Sequence, residues 1–250
     1  MTGWLVIAGL GPGNQAMVTP EVTQAVAEAT DVVGYAPYVR RVPRRRGLRR
    51  HETSNHEEIA RAQHALRMAE NGRRVVVVSS GDPGVFAMAA AIFEAVHLGP
   101  DSWRTLDIRV LSGITAMLAA AARVGAPLGH DFCAINLSDN LKPWALIEKR
   151  LRLAAEADFA IALYNPRSKA RLKGIDLALD LLREHCEPSR VLVFARAVST
   201  PEEQLRIVCL AEALPNMADM RTVVLIGSSA TQIINRDGTP FVYTPRAVPE

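Results

Sequence analysis

The sequence predicts an α/β fold with largely parallel sheets, and two observations predict it. Short β-rich runs alternate with longer segments of helical period, the pattern left by crossover connections between parallel strands. The 250 residues are 49% hydrophobic and 22% charged, enough to bury a large core without metal or disulfide. Residues 4–9, WLVIAG, read as the first buried strand. Thr19 and Pro20 open the helix after it: threonine accepts from free N–H groups, and proline at the first helical position loses no bond it needed. Val22, Ala25, Val26 and Ala29 form its apolar stripe. The same spacing recurs at Ile59, Ala62, Leu66 and Ala69, and Asn71-Gly72 supplies a left-handed exit into a strand over 75–79. Alanine-rich helices are predicted over 86–96, 115–124 and 144–157, and further strands over 108–111, 132–137, 159–164, 191–195 and 223–226. The RVGAPLG stretch breaks the pattern near Val124 to Pro127, giving an N-terminal α/β domain over 1–122 and a C-terminal one over 123–250. The proline-rich stretch over 239–250 is expected to be peripheral.

Composition removes several function classes. Cys133, Cys186 and Cys209 are odd in number and form no CxxC pair, which argues against a disulfide framework or a zinc site and for thiols in a reducing cytoplasm. No metal is expected. The longest apolar run, 111–122, contains Ser112 and Thr115 and stops at Arg123, well short of the ~20 residues a membrane helix needs. The first residues lack the basic region and cleavage site of a signal peptide. Net charge is only +3, but seven arginines fall between Arg40 and Arg50, in a stretch that Pro43 and Gly47 mark as a loop.

Three strand ends carry glycine. Gly9-Leu10-Gly11-Pro12-Gly13 invites comparison with the dinucleotide fingerprint, yet Asn14 stands where its third glycine belongs, and Pro12 removes an N–H from the phosphate cradle. Ser79-Ser80-Gly81-Asp82-Pro83-Gly84-Val85-Phe86 follows the 75–79 strand. There Gly81 lets a ligand approach the backbone, and Asp82 either accepts from a ligand hydroxyl or amine or caps the next helix. Leu111-Ser112-Gly113-Ile114-Thr115-Ala116 repeats the arrangement, a glycine followed by a hydroxyl.

These blocks resemble the tetrapyrrole (corrin and porphyrin) methyltransferases that use S-adenosylmethionine: GLGPG, SGDPGVF and SGITA match that family's loops in order. LYNPRS at 163–168, ARA at 195–197 and TVVLIG at 222–227 extend the likeness over nearly the whole chain. Met17-Val18-Thr19-Pro20, GYAPYV at 34–39 and LYNPRSKAR are most similar to one branch, the precorrin-3B C17-methyltransferases of cobalamin biosynthesis. Ser112 departs from the family's usual proline.

The resemblance implies two α/β domains with the cofactor in the cleft between them. The N-terminal domain, with the GPG and SGDPG loops, would be the substrate side and the C-terminal domain the cofactor side. It implies cofactor contacts at Pro12, Gly81, Asp82, Val85, Thr115, Ala116, Tyr164, Ala195 and Thr222, with S-adenosylhomocysteine as product. It also implies methylation at C17 with contraction of the macrocycle to precorrin-4, and a homodimer. Orientation of the methyl group and exclusion of water supply most of the acceleration in such a displacement. Ring contraction invites a general acid or base, for which Asp82, His51, His56 and His130 qualify only by residue type. Arg40, Arg44 and Arg45 are expected to bind the carboxylates of the tetrapyrrole rim, since the planar guanidinium matches a carboxylate with two parallel bonds. The rival reading is a ribosomal RNA methylase of the same fold using the Arg40–Arg50 stretch. The mild net charge and the lack of interleaved aromatics argue against nucleic acid.

Overall fold

The computed structural model describes residues 3–54, 57–167 and 173–247. The chain divides into two compact units, 1–115 and 116–250. In the first, β1 (Trp4–Gly9), α1 (Pro20–Glu28), β2 (Asp31–Tyr35), α2 (Ala36–Val39), β3 (Arg49–Thr53), α3 (Glu58–Glu70), β4 (Arg74–Ser79), α4 (Met88–Leu98) and β5 (Asp107–Leu111) follow one another. The strands form one sheet in the order β3-β2-β4-β1-β5, every pairing parallel. Both faces are covered, which is why the central strands are apolar at successive positions. Val75 and Val77 of β4 pack with α3 and α4, while Val76 and Val78 pack with α1 and α2 on the other face. Thr19 caps α1 as its sequence demands, its Oγ1 accepting from the Val22 N–H at 3.3 Å. Ile59, expected in the α3 stripe, is instead 44% exposed. The helix expected from residue 86 begins at Met88, because Phe86 adopts φ 53°, outside the helical region.

The second unit holds α5 (Ala116–Val124), β6 (Gly125–Ala126), β7 (Phe132–Asn136), α6 (Trp144–Glu156), β8 (Ala160–Tyr164), α7 (Gly174–His185), β9 (Val191–Arg196), β10 (Gln204–Cys209), β11 (Thr222–Ile226), β12 (Gln232–Ile234) and β13 (Phe241–Tyr243). Its main sheet runs β10-β9-β11-β8-β7 and is mixed: β7 and β8 are parallel, and the other neighbours are antiparallel. Among the described residues parallel strand pairing thus predominates, and the antiparallel strand pairs lie in this unit. The units divide seven residues ahead of the expected 122/123 boundary. Ala119, Ala120 and Val124 of α5 are buried against Val223 and Leu225, so the whole helix belongs to the second core. The C-terminal stretch is not peripheral throughout, since β13 buries Val242 completely in that same core. No helix among the described residues is long and apolar enough to cross a membrane.

A buried polar network lies at the start of β2. The Asp31 carboxylate accepts from Arg73 Nε at 2.5 Å and from Thr30 Oγ1 at 2.7 Å, and its Oδ1 lies 2.9 Å from His51 Nε2. His64 Nε2 in turn lies 3.2 Å from His51 Nδ1. Burial raises the Asp31 carboxyl, but the bonds from Arg73, Thr30 and His51 outweigh it and hold the group below its ordinary value. Burial, with His51 and Arg67 nearby, holds the His64 imidazole below its usual 6.5. A depressed histidine contributes stability that is complete above pH 6.5 and is lost as pH falls through the lower folded value. Melting temperature is therefore expected to drop as pH is lowered from about 7.5 to about 5.5, and His64→Gln should flatten that part of the profile. An unchanged slope in the variant would remove His64 as its source.

Candidate cofactor site

The parallel sheet gathers three loops at its carboxyl edge. β1 connects through α1 to β2 on one side, whereas β4 connects through α4 across β1 to β5 on the other, and α1 and α4 cover opposite faces. Adjacent strands whose connections leave in opposite directions open a ligand crevice between their ends. The three glycine loops follow β1, β4 and β5, neighbours in the sheet.

Within this unit the loops are sewn together by their own backbones. The Gly11 N–H donates to the Gly81 carbonyl at 3.1 Å, and the Gly81 N–H returns a bond to the Gly11 carbonyl at 2.9 Å. Gly11 holds φ 63° to do so. At Gly113 an added Cβ would stand 2.2 Å from the Gly81 oxygen and 2.8 Å from the Gly9 Cα, so only glycine fits between the two loops. Asp82 joins them from its side chain: Oδ1 accepts from the Gly84 N–H at 2.8 Å and Oδ2 from the Gly113 N–H at 3.0 Å. It does not cap α4. The Met88 N–H of that helix donates to Ser79 Oγ at 3.4 Å instead.

Arg41 completes the joint from behind. Its Nη1 donates to the Gly11 carbonyl at 3.0 Å, and its Nη2 to the carbonyls of Leu10 and, at 3.2 Å, Gly13. Burial lowers the affinity of this guanidinium for its proton, with Tyr38 opposing. Sequence reasoning passed over Arg41, because nothing in the spacing separates it from the six arginines around it.

The remaining expected residues divide by neighbourhood. Pro12 and Val85 are half-buried in the first two loops, and Thr115 is 5% exposed at the end of the third. In the second unit Ala116 opens α5, and the hydroxyl of Tyr164 accepts from the Met117 N–H at 3.0 Å, satisfying a free donor of that helix's first turn. Ala195 is wholly buried in β9, between Leu205 and Val223. Thr222 Oγ1 accepts from the Asp219 N–H at 3.0 Å and donates to Asp219 Oδ1 at 2.9 Å, fixing the turn before β11.

The arginine stretch is not one loop, since Arg49 and Arg50 lie on β3. Arg40 pairs with Glu52 at 3.1 Å, and Arg45 donates to the Val26 carbonyl at 3.2 Å and to that of Ala29, closing the end of α1. Arg44 is exposed. His51 belongs to the Asp31 network, His130 lies 3.9 Å from Asp131 at the surface, and His56 and residues 168–171 of LYNPRSKAR fall outside the described residues.

A family model described as Tetrapyrrole (Corrin/Porphyrin) Methylases matches residues 4–214. The chain belongs to that family. Among curated tetrapyrrole methylases it is 53% identical over 247 residues to a precorrin-3B C(17)-methyltransferase of Sinorhizobium sp, covering 98% of this chain and 97% of the relative. It is 38% identical over 245 residues to a probable cobalt-factor III C(17)-methyltransferase of Salmonella typhimurium, covering 97% and 98%. The crystal structure of the methyltransferase CobJ superposes with a TM-score of 0.93 at 62% identity, covering 97% of this chain and all of that one. The GLGPG, SGDPG and SGITA loops joined here all lie within the matched stretch.

Proposed function

We propose that the chain methylates precorrin-3B at C17 with ring contraction to precorrin-4, using S-adenosylmethionine, in cobalamin biosynthesis. The observation that carries this reading is the 53% identity over nearly the full length of both chains to an enzyme of that name. The relative named for the cobalt-containing substrate stands at 38%, which favours the cobalt-free one. The joined loops fit the cofactor. The N–H groups of Gly11, Gly81, Gly84 and Gly113 are all taken internally, and Pro12 has none, so little remains to cradle a pyrophosphate. A ligand that brings its own donors, an ammonium and ribose hydroxyls, asks less of loops whose N–H groups are spent.

When bound, S-adenosylmethionine supplies a methyl group activated on its sulfonium. Pro12, Gly81, Val85 and Thr115 would bind and orient it at the crevice. Asp82 holds the loops in register, one carboxylate oxygen accepting from the Gly84 N–H and the other from the Gly113 N–H. The three cysteines are free, in keeping with a reducing cytoplasm, and the family likeness leads us to assign a homodimer.

Transfer of label from S-adenosylmethionine to precorrin-3B, with precorrin-4 as product, tests the reading. Labelled ribosomal RNA with no tetrapyrrole product would overturn it. Of the expected substrate arginines, Arg44 is exposed and Arg40 is held only by a surface ion pair, which costs little to exchange for a substrate carboxylate. Arg44→Ala is expected to raise the tetrapyrrole KM about five- to tenfold with cofactor affinity unchanged. Arg45→Ala should instead lower the melting temperature, since its guanidinium closes α1.

A further inference from the structure

We propose that Arg41 is a positioning residue for the cofactor, setting the direction of the GLGPG carbonyls so that the Pro12 carbonyl is the acceptor that faces the ligand. The inference rests on the reading that the glycine loops hold S-adenosylmethionine. Arg41 follows α2 in the chain, yet its side chain returns to a loop about thirty residues earlier and donates to Leu10, Gly11 and Gly13, all backbone carbonyls of one turn. Over residues 10–13 the Pro12 carbonyl is the one that the guanidinium does not take.

Peptide geometry gives the arrangement a consequence. In a trans peptide the carbonyl and the following N–H point in opposite directions. Drawing the Leu10 carbonyl toward Arg41 therefore aims the Gly11 N–H away from it, where it meets the Gly81 carbonyl at 3.1 Å. The Gly11 carbonyl is shared, accepting from Arg41 at 3.0 Å and from the Gly81 N–H at 2.9 Å. One side chain thus governs both the shape of the first loop and its junction with the second. Pro12 has no N–H of its own to oppose the choice, and Gly11 at φ 63° turns freely without a guide. Lysine offers a similar charge but no planar fork, and cannot span carbonyls on both sides of the turn with the same geometry.

The test uses the full chain, with S-adenosylhomocysteine as the calorimetric probe and precorrin-3B turnover as the kinetic one. Arg41→Met is expected to raise the Kd for S-adenosylhomocysteine about tenfold or more, and Arg41→Lys about threefold or more, while the tetrapyrrole KM moves less than about twofold. A purely structural arginine would lower the melting temperature and leave that Kd alone. Wild-type affinity in folded Arg41→Lys overturns the proposal, and it does so even if Arg41→Met fails to fold. Failure of the wild-type chain to bind S-adenosylhomocysteine overturns the cofactor reading itself, and the proposal with it. Binding by wild type with a raised Kd in Arg41→Lys supports both.

Discussion

Gly113→Ala is expected to lose cofactor binding and to destabilise the first unit. The new methyl would be driven to 2.2 Å from the Gly81 oxygen, with the Gly9 Cα at 2.8 Å on its other side, and both are backbone atoms that no rotamer change can move. Inserting a methyl into a closed packing costs about 1–3 kcal/mol in a core of mobile side chains, and a backbone vice places this site at or above the upper end. If the cost falls on the joint rather than on the whole unit, about 3 kcal/mol corresponds to roughly a hundredfold rise in Kd for S-adenosylhomocysteine. Calorimetry and urea unfolding of the same variant read the two effects separately. Wild-type affinity would mean that the three loops are not the cofactor site.

Asp82→Asn is the second large effect. From sequence, Asp82 reads either as a ligand contact, whose loss would cut turnover with stability barely changed, or as a helix cap. The structure sets the cap aside and adds a further role, one carboxylate oxygen accepting from the Gly84 N–H and the other from the Gly113 N–H. An amide retains one acceptor and turns a donor toward an N–H, so one charge-assisted bond is lost and two donors face each other. Bonds to a charged group are worth about 1.5–3 kcal/mol, and the variant should lose about 2 kcal/mol of stability together with roughly thirtyfold in kcat/KM. Turnover lost at an unchanged melting temperature would return Asp82 to the chemistry.

Burial alone does not decide which strands are legible in the sequence: β2 is buried and central yet unmarked, whereas the edge strands β5 and β7 match expectation to within one residue. β1 spans the same six residues that its apolar run marks, and β4, β9 and β11 differ from expectation by one residue at an end. Their neighbours β2, β3 and β10 left no such trace. β3 reads RRHET, without one aliphatic residue, and is a strand because it pairs with β2 at the sheet edge, Val33 opposite His51. Edge pairing satisfies backbone groups whatever the side chains, so at β3 it leaves no periodicity to read. Phe86, Asn165 and Ala197 likewise sit at positive φ inside the SGDPGVF, LYNPRS and ARA blocks. Such conformations cost about 1–3 kcal/mol and persist only where surrounding contacts impose them, which local sequence cannot announce.

The sequence by itself determined the α/β class, the apolar strands, the α1 cap at Thr19 and the family to which GLGPG, SGDPGVF and SGITA belong. Each of these is written in a few consecutive residues, by period, by cap chemistry or by motif. Tertiary structure alone decided that Gly11, Gly81 and Gly113 form one joint and that Asp82 closes it. It alone set Arg41 onto the carbonyls of the GLGPG loop and Arg45 onto those at the end of α1, from a run of seven similar residues. Those roles depend on which carbonyls the folded backbone leaves within reach of a long side chain. That is set by packing between segments tens of residues apart, so no local pattern encodes it.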